Sequence, residues 1–87
     1  MKVKNLIQTC GACPSQWEFD TDGNRRAYVR YRGGYLSVRI SLPGGDTMGA
    51  VTGYEVLGQN IGGSLDGVLE WEEVAKRIKH IQIEPHM

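Results

Sequence analysis

Phenylalanine occurs once in this chain, proline three times, and cysteine and histidine only twice each. Nowhere do apolar residues run together for the roughly twenty positions that a helical membrane span needs. The opening Met-Lys-Val-Lys-Asn-Leu-Ile-Gln lacks the apolar centre of a secretory signal. No membrane partner and a cytoplasmic location are the expectations. With two cysteines so close together in a reducing compartment, a stabilising disulfide is not expected. Net charge is also missing: ten basic side chains balance ten acidic ones. General nucleic-acid binding, which calls for a basic domain, is not expected, and neither is a nucleic-acid mimic.

The catalytic and metal motifs are thin as well. Cys10-Gly-Ala-Cys13 is the one metal-like spacing, and a structural zinc site would need two more ligands, which only His80 and His86 could supply. As a redox pair the thiols would want to open a helix, but Pro14 and a strand pattern follow them. Two ordinary thiols near a turn is the simpler reading, and a small zinc-stabilised module using Cys10 and Cys13 is the alternative. Asp20-Thr-Asp-Gly-Asn24 has its glycine too early for a calcium loop and is explained by a hairpin turn. The glycines at 44–45, 58 and 62–63 precede no Gly-Lys-Ser/Thr and form no dinucleotide fingerprint. No nucleophile–base pair or role-bearing carboxylate pair emerges, so neither an enzyme nor a cofactor is expected.

What the chain does have is arginine in one place. Five of its six arginines lie between Arg25 and Leu42, a stretch without an acid. Two alternating runs flank Gly33-Gly34, and a two-residue turn there sets Arg32 opposite Tyr35. Tyr31 then faces Leu36, Val29 faces Val38 and Ala27 faces Ile40, all apolar. The other face pairs Arg30 with Ser37, Tyr28 with Arg39 and Arg26 with Ser41. A slip of one residue would mix the two sets, so the pattern specifies its own register. Residues 15–20 alternate in the same way. A three-residue loop at Asp22-Gly23-Asn24 pairs Phe19 with Ala27 and Trp17 with Val29. It also sets Asp20 opposite Arg26, and Glu18 opposite Tyr28 and diagonal to Arg30.

Residues 1–14 form a lead-in that could be a strand or a short helical turn. Residues 43–67 are glycine-rich loops, with 52–57 a candidate strand. A helix over 69–80 follows from Trp71, Val74, Ala75 and Ile78 on one stripe, with acids at its start and bases at its end. Residues 81–84 are a candidate last strand. The expected fold is α+β in a single small domain. It is an antiparallel meander of three to five strands (15–20, 25–32, 35–42, with two candidates) and one C-terminal helix packed on one face. Trp17, Phe19, Val29, Val38, Ile40, Trp71, Val74 and Ile78 should form most of the core.

The Arg/Tyr face has a plain reading: arginines suit exposed strand positions, and Asp20 and Glu18 pair with them. That accounts for Arg26 and in part for Arg30. It leaves Arg32 and Arg39 without an acid in the hairpin, with Tyr28 and Tyr35 between them. Planar guanidinium groups match phosphate and carboxylate oxygens, and tyrosines stack on bases or fill protein pockets. Tyr28, Arg30, Arg32, Tyr35 and Arg39 are therefore the candidate ligand-binding residues.

The run Pro14-Ser-Gln-Trp-Glu18, then Asp22-Gly23, Tyr28-Val-Arg-Tyr-Arg-Gly33 and Leu36-Ser-Val38, resembles small uncharacterised proteins of bacteriophages and prophages. Leu65-Asp-Gly-Val-Leu69 is a weaker echo. The resemblance covers about half the chain and implies a phage or prophage setting, with no catalytic or binding residues attached. In such a setting small proteins often act by binding, for example by inhibiting a host defence system. The expectation is a small non-enzymatic binding protein that engages a host protein's acidic surface or a nucleotide ligand. A homo-oligomer is compatible with it, since a thin core leaves one sheet face to cover.

Overall fold

In a computed structural model, described over residues 1–11, 15–63 and 67–83, the chain forms one five-stranded antiparallel sheet. The strands are β1 (Lys4–Gly11), β2 (Ser15–Thr21), β3 (Arg25–Arg32), β4 (Tyr35–Ile40) and β5 (Tyr54–Asn60), hydrogen-bonded in chain order. Two helices, α1 (Thr47–Val51) and α2 (Trp71–Ile78), complete the described elements.

The central registers follow from side-chain alternation. Ala27 faces Ile40, Val29 faces Val38, Tyr31 faces Leu36 and Arg32 faces Tyr35. On the other side of β3, Trp17 faces Val29, Phe19 faces Ala27 and Asp20 faces Arg26. The turns agree: Gly33 and Gly34 have φ of +60° and +79°, and Asn24 takes φ of +58° in the loop between β2 and β3. Those positive angles are what a right-twisted hairpin needs, and glycine and asparagine tolerate them best.

Every second residue of β2, β3 and β4 is buried on one face: Trp17, Phe19, Ala27, Val29, Tyr31, Leu36, Val38 and Ile40. α2 closes this face with Val74 and Ile78, both buried. Trp71 is only half-buried, yet it meets both β2 aromatics, with ring centroids 5.7 Å from Trp17 and 5.9 Å from Phe19. Ser15 fastens the approach to α2. Its buried hydroxyl lies 2.9 Å and 3.0 Å from the carbonyls of Gly11 and Gly67 and accepts the Leu69 N–H.

Several expectations change. The lead-in contains a strand, β1, which pairs with β2 through two irregularities, with Asn5 at positive φ. It is exposed almost throughout, so no alternation marks it. β4 ends at Ile40, and α2 spans 71–78 rather than 69–80. Residues 81–83 form no strand; Ile81 and Ile83 pack on the core as irregular chain. The expected single helix is joined by α1, which starts at Asp46, whose carboxylate accepts the Gly49 N–H at 3.0 Å. α1 lies against the other face of the sheet. Thr47 bonds Glu18 there, and Gly49 packs beside Ser41, where a Cβ would stand at the ordinary contact distance of 3.4 Å from the Ser41 Cβ.

Candidate functional site

β3 and β4 send Tyr28, Arg30 and Arg32, and Arg39, Ser37 and Tyr35, to the face opposite the core. β5 then determines what stands beside them. Ser37 faces Gly58 and Val38 faces Leu57, but Arg39 faces Glu55, so Val56 is an extra residue in β5. Without that bulge Val56 would oppose Arg39, and Glu55 would oppose Ile40 on the apolar side. The bulge therefore turns Glu55 onto the arginine face, a re-aiming that bulges commonly perform.

The outcome is a basin of about 330 Å³ lined by Tyr28, Arg30, Arg32, Tyr35 and Arg39, with Ser37, Val51 and Glu55. The five candidate residues thus border one concavity. Val51 brings the end of α1 to its rim. Glu55 is held on three sides. Ser37 donates to its Oε1 at 2.7 Å, the Tyr35 hydroxyl sits 3.3 Å from both oxygens, and the Arg39 guanidinium is 4.0 Å away. Burial and then the Glu55 charge raise the Tyr35 phenol above its ordinary pKa, which keeps it a donor. Gly58 makes this arrangement fit, since a Cβ there would stand 2.1 Å from the Tyr35 hydroxyl and 2.8 Å from Glu55 Oε2.

The arginines divide by partner. Arg26 is fully engaged, its two terminal nitrogens 2.9 Å from Asp20 and 3.0 Å from Glu18. Glu18 leans to Arg26 rather than to Arg30. Arg39 finds its acid in Glu55, outside the hairpin, and also donates to the Gly53 carbonyl at 3.1 Å. Among the described residues neither Arg30 nor Arg32 forms an ion pair. Arg30 Nε is buried with no hydrogen-bond partner. Three guanidinium groups against one carboxylate leave the basin cationic. Glu55 and Val51 are the lining residues that alternation alone does not reveal, because they depend on the bulge and on a five-residue helix, whereas Ser37 falls on this face by alternation.

Beside the basin, the Glu18 carboxyl lies below its ordinary pKa. The Thr47 hydroxyl, 2.5 Å away, is the main cause; burial opposes the shift and Arg26 reinforces it. Asp20 is lowered too, by the Asn5 amide and then Arg26. Acids with depressed folded-state values contribute stability that is complete above the ordinary carboxylate range and lost as pH falls through the lowered values. Thermal unfolding should therefore hold steady near neutrality and drop below about pH 4. Glu18→Gln should lower the neutral melting point and flatten that acid limb in melts from neutral to acid pH. An unchanged limb would remove Glu18 from the account.

Cys10 is half-buried on β1 opposite Gln16, and Cys13 and His86 lie outside the described residues. Among the described residues no three of His, Cys, Asp and Glu converge on a metal position. No described helix is long and apolar enough to cross a membrane. Comparison of the chain with protein-family models, curated proteins and solved structures returned no match.

Proposed function

We propose that this is a small non-enzymatic binding protein that engages an anionic partner through the Arg/Tyr face of its sheet. The observation that carries this reading is the basin, where among the described residues Arg30 and Arg32 lack acidic partners and a buried Arg30 Nε has no acceptor. A buried donor left unpaired is costly, and an incoming phosphate or carboxylate oxygen would satisfy it. The concave shape suits a nucleotide, and the exposed Arg32 and Tyr35 at its rim suit an acidic protein surface. The likeness to phage and prophage proteins supports a role against a host defence system, by covering a component of it or withholding a nucleotide from it.

Calorimetric titration with nucleoside monophosphates and with a polyglutamate peptide tests the reading. Saturable binding by at least one probe is expected. Arg30→Ala with Arg32→Ala should weaken it strongly, since each charged hydrogen bond contributes about 1.5–3 kcal/mol. Thermal unfolding should barely change, because both side chains lie off the core. Absence of saturable binding by every probe, or binding indifferent to the double variant, would overturn it.

A further inference from the structure

Among the described residues the basin's cations without an acid stand on one side only, since on the other Arg39 lies 4.0 Å from Glu55. Arg30 and Arg32 stand on β3, whereas Glu55 stands on β5, two strands away, or roughly 9–10 Å across the sheet. A ligand that was anionic throughout would meet a carboxylate at the far wall. A ligand that fits must carry an anion at one end and hydrogen-bond donors at the other. Between the walls lies Tyr35, whose hydroxyl points at Glu55, so the long axis of its ring runs toward the carboxylate. A flat group stacked on that ring would bring its own edge over Glu55.

Glu55 retains acceptor capacity for such an edge. Of about four lone-pair sites on a carboxylate, Ser37 takes one, and the single Tyr35 proton is split at 3.3 Å between both oxygens. Each oxygen can still accept, and the side chain keeps 31% of its surface open. Two adjacent acceptors match two adjacent donors. Among the common bases only guanine offers that pair, its ring N–H beside its exocyclic amine. Adenine and cytosine set an acceptor next to their donor, and uracil flanks its N–H with carbonyls, so each would aim a lone pair at the carboxylate.

We propose that the basin takes a guanine nucleotide, with its phosphate on Arg30 and Arg32, its base stacked on Tyr35 and its two donors on Glu55. This rests on the anion-binding reading of the basin and adds base selection by a residue that carries the opposite charge. The Val56 bulge is then part of the selectivity, since it delivers Glu55 to this face.

Titrations of the full chain with GMP, AMP and inorganic pyrophosphate separate the two levels. GMP should bind at least about tenfold more tightly than AMP, one good bidentate base contact conferring that much discrimination or more. Glu55→Gln keeps the acceptor for Ser37 but replaces one acceptor by a donor, which suits adenine. It should abolish or reverse the GMP preference while pyrophosphate binds as well as before or better. Arg30→Ala should weaken all three probes alike. Equal GMP and AMP affinities, or a preference untouched by Glu55→Gln, would overturn the guanine assignment and leave the anion-binding basin standing. Failure of all three probes to bind would remove the nucleotide assignment, and the polyglutamate titration would then decide the anion-binding reading separately.

Discussion

Phe19→Ala is expected to cost about 3–5 kcal/mol, the range for emptying a large buried aromatic site. The side chain is fully buried, faces Ala27 across the sheet and meets the Trp71 ring edge-on at 72°. Trp71, whose ring it meets, is itself engaged with Trp17, so the cavity has little to collapse into. A domain of this size has a total stability of the order of 5–15 kcal/mol. The melting temperature should therefore fall by roughly 15–30 °C. Trp71→Ala, at a half-exposed position, should cost less. Chemical denaturation of the two variants checks the order. Equal losses would mean that α2 does not seal the core over Phe19.

The second large effect is expected at the tip of the β3–β4 hairpin. Gly34→Ala meets two obstacles at once. Its φ of +79° is strained for any residue with a Cβ, which costs about 1–2 kcal/mol. The added carbon would also stand 2.2 Å from the Gly62 carbonyl oxygen and 2.6 Å from that of Gly63, both backbone atoms. The chain there cannot simply turn aside, because the N–H groups of Ile61 and Gly62 donate to the Gly34 carbonyl. Gly44→Ala separates the terms. Gly44 has φ of +81° but nothing within 4 Å of its Cβ position, so it bears only the backbone strain. Gly34→Ala should be more destabilising than Gly44→Ala by about 1–3 kcal/mol, the scale of overpacking. Similar melting points for the two would show that the 61–63 segment yields freely.

The contrast between those glycines parallels what the sequence discloses. Gly33-Gly34 between two alternating runs specifies a hairpin and, through it, the pairing of β3 with β4. Phe19 and Trp17 then select the three-residue loop before β3, because only that loop puts both on the apolar face. Such inferences succeed where period two is unbroken. β1 shows no alternation because neither of its faces is buried. α1 is too short for a helical stripe, and its sign in the sequence is Asp46 three residues before Gly49. Glu55 is hidden for a sharper reason: counting by twos from Leu57 puts Glu55 on the core side, and the Val56 bulge reverses that. The five residues around the basin could be grouped from the hairpin alone, while its acidic wall depends on an irregularity that local pattern does not encode.

The sheet is also a partition. In β3, Ala27, Val29 and Tyr31 lie in the core that Val74 and Ile78 of α2 join, while Tyr28, Arg30 and Arg32 border the basin on the other face. No side chain of β3 serves both sides, so a change on the basin face need not unsettle the core. Selection can rewrite one set of alternate letters while the other stays fixed. For a protein that must follow a changing partner, such a layout lets recognition vary at little risk to folding.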